Sequence, residues 1–182
     1  MGAVLLVAWV VNAADKTQRG VALELLWSCH VFALALWIGV LARWSALAEV
    51  GAFYFLSAAL PGYFLDVIAS RTTAPASLVV HLVAAGVGFA QVRRGGLHRR
   101  TFGVTLALCA LLIALSRALT PPSLNINLAF GPHPDLVRYY GAHPWLSFVT
   151  SYGLLVGLLA GGWRLLRRTI ARELTAGGSP AD

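Results

Sequence analysis

The sequence predicts an all-α protein, a polytopic transmembrane bundle of about six helices. Of its 182 residues, 58% are hydrophobic and only 12% are charged, and the mean hydropathy is +0.74. A soluble domain of this length cannot bury so much apolar surface. The apolar residues also form runs of about 20, the length that a helix needs to cross a hydrocarbon core of about 30 Å.

The apolar runs, taken in order, give one short segment and five full-length spans. Segment 2–14 is too short to cross alone and lacks a basic N-terminal flank, so we interpret it as the remainder of a helix and not as a signal peptide. The spans follow at 21–42, 45–68, 75–92, 101–119 and 145–166. We expect one helical domain over residues 1–168 and a disordered cytoplasmic tail over 169–182.

The basic residues predict the orientation of these spans. Loop 93–100 and the end of the last span, 164–168, are strongly basic, and such short segments stay in the cytoplasm. Counting back places the turn 43–45 inside and the connections 15–20, 69–74 and 120–144 outside. Nine basic residues then lie inside and five outside. Because the net charge of +7 gathers in loops, it does not indicate a nucleic-acid partner.

Polar groups within the spans are the candidate functional residues, since an ionisable side chain near mid-bilayer costs about 2.5 to 3.5 kcal/mol on insertion scales. Cys29 and His30 adjoin each other in the span 21–42, and His81 lies in the span 75–92. Counted from the outer helix ends, Cys29 and His81 both lie about 10 Å below the outer surface. Successive helix residues point about 100° apart, so we expect His30 to face away from the pocket that Cys29 faces.

A thiol and an imidazole at one depth predict nucleophilic chemistry. Cys29 is the expected nucleophile, and His81 is the expected general base. An oxyanion needs hydrogen-bond donors, and we expect them from Asn125 or Asn127 in the outer connection, or from a backbone N–H freed near Pro61.

The remaining polar residues receive supporting or structural roles. Asp66, in the outer half of its span, is expected to orient the His81 imidazole. Glu49 is expected to reach the interface or Arg43, and Cys109 to act as a small apolar residue. The two cysteines lie in separate apolar segments, so we predict no metal site and no disulfide framework. We also predict no resident cofactor for the acyl-transfer chemistry.

The order of these motifs resembles the transmembrane protein 164 and YwaF-like family of integral membrane proteins over about residues 5–166. The motifs that carry the resemblance are Cys29-His30 in one helix, Pro61 in the next, His81 in the next, and then Asn125-Ile126-Asn127 with Pro132 before a final helix. The chain departs from the family by starting at its second helix and by having Leu-Glu-Leu-Leu-Trp-Ser before Cys29.

The resemblance implies an acyltransferase of the cell membrane, with the bacterial plasma membrane as its location. The substrate would be phospholipid, and Cys29 would carry an acyl thioester with help from His81. Membrane lipids are then the expected partners, while a homo-oligomer or a larger membrane complex stays open.

Two other functions fit the same residues. His30 and His81, on different helices at similar depth, are the pair that could ligate a haem in a membrane electron-transfer subunit. Alternatively, the chain is a non-catalytic assembly or transport subunit, in which the polar residues only hold helices together.

Overall fold

The computed structural model describes residues 2–71, 75–131 and 144–176. Over these ranges the fold is a bundle of six helices without strands, which confirms the predicted all-α class. The helices are α1 (Gly2–Gln18), α2 (Ser28–Leu41), α3 (45–70), α4 (Pro75–Gly95), α5 (Thr101–Leu119) and α6 (Pro144–Ala176). Short 3₁₀ turns cover Ala22–Leu26, Pro122–Leu124 and Ile126–Leu128.

Within the described ranges, four helices are long and apolar enough to cross a membrane. The segments are Ser45–Ile68, Pro75–Gly95, Thr101–Leu119 and Phe148–Ile170. Helix α2 is equally apolar but has only 14 residues. These helices are compatible with the predicted multi-pass membrane protein.

The second predicted span, 21–42, is shorter in the structure, because α2 begins at Ser28 and not at residue 21. Trp27 has an extended backbone, with ψ at 136°. On either side of it, the Leu26 carbonyl and the Ser28 N–H both bond to the side chain of Asn127. These bonds replace the ones that would have continued the helix toward its N-terminus.

The two ends of the chain also differ from prediction. Helix α1 continues beyond residue 14 to Gln18, where buried Lys16 pairs with Glu24 across the following turn. Helix α6 continues to Ala176, so residues 169–176 of the predicted disordered tail are helical. Residues 177–182, and Pro132 in the outer connection, lie outside the described ranges.

The core lies where α1 to α4 meet. Each of these helices contributes fully buried side chains, among them Leu5, Phe32, Phe53 and Val80. Helices α5 and α6 pack on the other side of α3. Helix α3 is therefore the central element of the bundle.

Two glycines allow α2 and α3 to pack closely. A Cβ atom at Gly39 would lie 2.3 Å from the backbone nitrogen of Ala48, and one at Gly51 would lie 2.7 Å from that of Leu36. Real Cβ contacts are essentially never shorter than 3.0 Å, so only glycine permits this helix separation. Small residues at helix contacts matter in lipid, where apolar side chains alone give little driving force for association.

Helix α3 consists of an α-helix (Ser45–Tyr54), a π-helical turn (Phe55–Ala59) and a second α-helix (Leu60–Ser70). Pro61 follows the π turn directly and explains it, because proline lacks an N–H and its ring crowds the carbonyl four residues earlier. The Leu60 N–H bonds to the Phe55 carbonyl, five residues back. Leu60 therefore does not supply the free donor that we expected near Pro61.

The connections sort into two ends as the charge pattern predicts. At one end, Glu49 accepts hydrogen bonds from the His98 N–H and the Thr101 hydroxyl, which tie the start of α5 to α3. These groups, and not the predicted Arg43, are its hydrogen-bond partners. At the other end, Asn127, in the connection 120–144 that was assigned to the outside, bonds to the turn before α2. Which end faces the cytoplasm stays a prediction from the charges.

Candidate functional site

His81 is a buried imidazole held from two directions. Its ring is 4% exposed and stacks on Tyr63, with ring centroids 4.4 Å apart. Its Nδ1 lies 2.7 Å from the Ser77 carbonyl, one turn earlier in α4. A carbonyl oxygen only accepts, so Nδ1 carries the proton, and the Nε2 of the neutral ring keeps its lone pair. This arrangement suits a base or a metal ligand.

The Ser77 carbonyl takes the orienting role that we predicted for Asp66. Asp66 is exposed on the outer part of α3, within electrostatic range of His81. Residues four positions apart in a helix lie one turn above one another. The Ser77 carbonyl is therefore the nearer partner of the His81 ring.

His30 faces the interior of the bundle, on the side of α1. It is 2% exposed, and its Nδ1 lies 3.3 Å from the amide nitrogen of Asn12 in α1. The Trp9 indole donates to its backbone carbonyl. Helix α2 packs on α3 along one side and on α1 along another. The second contact buries the face of α2 that carries His30. His30 also lies within electrostatic range of His81.

Cys29 occupies the first turn of α2 and is half-buried against the core. The prediction placed it eight residues inside a longer helix. Its sulfur lies beside the backbone N–H groups of Cys29 and His30, and the Lys16 ammonium is within electrostatic range. Backbone N–H groups at a helix N-terminus favour negative charge.

Asn127 folds inward, as predicted, but its amide is already used. Its Oδ1 accepts hydrogen bonds from the Ser28 N–H and the Ser28 hydroxyl, both at 2.7 Å. Its Nδ2 donates to the Leu26 carbonyl at 3.0 Å and to the Ser116 hydroxyl at 2.8 Å. Both amide hydrogens are therefore taken, and the expected role as an oxyanion donor is replaced by a structural one.

Asn125 forms a local turn and does not cover Cys29. Its Oδ1 accepts from the N–H groups of Phe130 and Gly131, and its Nδ2 donates to the Gly131 carbonyl. The residue adopts a left-handed backbone with φ at 43°, which asparagine tolerates better than most residues.

The structure does not join Cys29 and His81 directly. Within the described part of the chain, no hydrogen bond connects them. A series of contacts leads from Ser28 to the Tyr54 hydroxyl, from Tyr54 to the Phe55 ring at 6.1 Å, and from Phe55 to His81 at 5.8 Å. The Tyr54 and Phe55 side chains thus lie between the turn that carries Cys29 and the imidazole of His81.

Sequence reasoning missed the ion pair between Lys16 and Glu24, whose charged atoms are 2.5 Å apart. It also missed Asn12 and Tyr54. One signal was available: Asn12 and Lys16 stand four residues apart in an apolar segment, hence on one helix face. Cys109, by contrast, lies in the core as expected.

The comparisons with known proteins give no relative. No protein family, curated protein or solved structure matches this chain.

Proposed function

We propose that this chain is a membrane acyltransferase that acts on phospholipid through an acyl thioester on Cys29, with His81 as the general base. The observation that carries the proposal is the surroundings of Cys29. A half-buried thiol lies at a helix N-terminus, near a buried ammonium group and on the same end of the bundle as two buried imidazoles. The resemblance to the transmembrane protein 164 and YwaF-like family supports it, and with it a bacterial plasma-membrane location.

Burial disfavours a negative charge on Cys29, and Lys16 and the backbone N–H groups at the start of α2 offset part of this cost. Lys16 is only 9% exposed, and Glu24 balances its charge. A buried cation and backbone N–H groups stabilise both a thiolate and the oxyanion of a tetrahedral intermediate. Lys16 and these N–H groups, and not Asn125 or Asn127, would then stabilise the oxyanion.

The proposed reaction has two steps. The Cys29 thiol loses its proton to His81 Nε2, and the thiolate attacks the ester carbonyl of the donor lipid. The lysolipid alkoxide leaves with the proton from His81, and the acyl group stays on sulfur. An acceptor alcohol then gives its proton to His81, attacks the thioester and releases the free thiol. Both steps require His81 to reach Cys29 past Tyr54 and Phe55, and therefore a movement of these rings.

Replacing Cys29 with alanine is expected to abolish both thioester formation and lipid transfer. The measurement is mass spectrometry of hydroxylamine-sensitive adducts after incubation of the detergent-purified protein with phospholipid. Cys109→Ala is the matched control and should keep the adduct, because Cys109 lies in the core. His81→Ala should slow adduct formation by about 10² to 10⁴, the usual contribution of a positioned base.

Two outcomes would contradict the acyltransferase. One is a wild-type protein that never becomes acylated, and the other is an adduct that persists in Cys29→Ala. Either result would favour the non-catalytic assembly or transport subunit.

A second candidate function, a bis-histidine haem subunit, gains support from the inward position of His30. Both histidines are buried. His81 donates its Nδ1–H to the Ser77 carbonyl, as metal-ligating histidines do, and its Nε2 is left for a metal. His30 accepts at Nδ1 from the Asn12 amide nitrogen, so it would have to change tautomer before its Nε2 could bind a metal. Haem would supply one-electron transfer, and His30 and His81 are the residues that would hold it.

Titration of the purified protein with haemin separates the two candidates. The haem subunit predicts a Soret band that His30→Ala and His81→Ala each reduce or remove, while Cys29→Ala leaves it unchanged. A wild-type spectrum that shows only free haemin excludes this candidate.

A further inference from the structure

Three arginines form a compact cationic face on α6. Arg164, Arg167 and Arg168 are exposed and spaced three and four residues apart, so they share one side of the helix within about one turn. They line a surface recess of about 310 Å³ together with Trp163. Among the side chains that the structure describes, none of the three pairs with an acidic group. Like charges at this spacing destabilise a helix unless an anion lies between them.

Neighbouring rings place this face at the depth of the lipid headgroups. The Trp163 ring is 6.2 Å from Phe102, in the first turn of α5, and packs edge-on against Phe53 of α3. Tryptophan is typical of the membrane interface. The guanidinium group of Arg167 lies 5.4 Å above the Trp163 ring, which orients it along the helix surface.

An apolar groove adjoins the arginine face. It runs between α4 and α6 and is lined mainly by Phe89, Val92, Leu166 and Ile170, with Arg93 at its edge. The groove and the arginine face lie at the same level of α6 on different sides of the helix, and they meet where Arg167 and Ile170 stand three residues apart. Arg167 thus holds a phosphate-binding guanidinium group beside an apolar surface.

We propose that this end of α6 is a binding site for an anionic phospholipid, independent of the acyl-transfer site at the other end of the bundle. The guanidinium groups of Arg164, Arg167 and Arg168 bind the headgroup phosphate, for which the planar arginine fork is suited. The groove between α4 and α6 has a volume of only about 10 Å³, so an acyl chain would lie against its apolar residues at the lipid-facing surface and not inside it. Charge complementarity selects the anionic lipid, because the recess contains three cations and no acid.

The test is native mass spectrometry of the full chain in detergent with equal amounts of phosphatidylglycerol and phosphatidylcholine. We expect the wild type to retain phosphatidylglycerol preferentially. The triple variant R164Q/R167Q/R168Q should lose this preference on the order of 100-fold, since each basic residue near an anionic surface contributes a factor of about five. The variant R164K/R167K/R168K keeps the charge and the topology signal and should lose part of the preference.

Several results would overturn the site. Equal retention of the two lipids by the wild type would show no anionic selectivity. An unchanged preference in the glutamine variant would place the lipid elsewhere. Complete displacement of phosphatidylglycerol by millimolar inorganic phosphate would indicate a small-anion site without an acyl-chain groove. If the glutamine variant does not purify as a folded protein, the lysine variant serves as the test. Full retention of the phosphatidylglycerol preference in the lysine variant would reject phosphate binding by the guanidinium groups.

Discussion

Replacing Asn127 with glycine is expected to lower the free energy of unfolding by about 3 to 5 kcal/mol. Glycine accepts the left-handed backbone of this position, where φ is 56°, so the change removes only the side-chain hydrogen bonds. It leaves the Ser28 N–H, the Leu26 carbonyl and the Ser116 hydroxyl short of a partner. Each buried polar group without a partner costs about 1 to 3 kcal/mol. Thermal unfolding in detergent, followed by circular dichroism, should show a midpoint lower by about 10 °C.

Asn125→Gly is the matched control for this prediction. Asn125 also has positive φ, and its side chain bonds to the nearby backbone of Phe130 and Gly131. We expect a loss of about 1 kcal/mol there, the value of an ordinary net hydrogen bond. Equal midpoint shifts in the two variants would refute the assignment of Asn127 as the residue that holds the start of α2.

Gly39→Ala is expected to destabilise the protein by about 2 kcal/mol even though alanine is the better helix former. The new Cβ would lie 2.3 Å from the Ala48 nitrogen and 2.6 Å from its Cα. These are backbone atoms, so relief requires α2 and α3 to separate. Overpacking of this kind costs about 3 kcal/mol, while the gain in helix propensity is about 1 kcal/mol.

Gly86→Ala should have the opposite sign. Gly86 is also a helical glycine, but nothing lies within 4 Å of a Cβ built there. It therefore gains helix propensity, about 1 kcal/mol, without a steric cost. Unfolding midpoints of both variants, measured in one detergent, test the difference. A stabilised Gly39→Ala would mean that the α2–α3 contact is looser than the structure indicates.

Hydropathy predicted the bounds of a membrane helix well where the helix ends close to the ends of its apolar run. The span 101–119 coincides with α5, and 75–92 differs from α4 only at its end, where Arg93 and Arg94 continue the helix. Hydropathy reports which side chains favour lipid, and a helical backbone extends past that boundary into the headgroup region.

The break before α2 was not predictable from local sequence. Residues 21–27 contain neither proline nor glycine, and their composition favours a continuous helix. The break depends on an amide group about 100 residues away. For the same reason, the position of Cys29 within its helix was misassigned, since it depends on where α2 begins.

Pro61 gave a partial signal. A proline within an apolar span predicts an irregularity in the helix, and the structure has one at Phe55–Ala59. The sequence did not distinguish a kink from a π turn, because this depends on how α4 and α6 pack against the turn.

The bond between Asn127 and Ser28 has a consequence for the order of events during biosynthesis. A ribosome delivers residue 28 to the membrane long before residue 127, and the two are 99 positions apart. Until then, the apolar stretch around residues 21–41 has only its own backbone to satisfy its polar groups, and in lipid that favours an uninterrupted helix. We therefore expect the turn at Trp27 to form as a late rearrangement of an inserted segment. Cys29 would then reach its place at a helix N-terminus only after the fifth helix has entered the bilayer, and an unfinished chain would not present its thiol in that position.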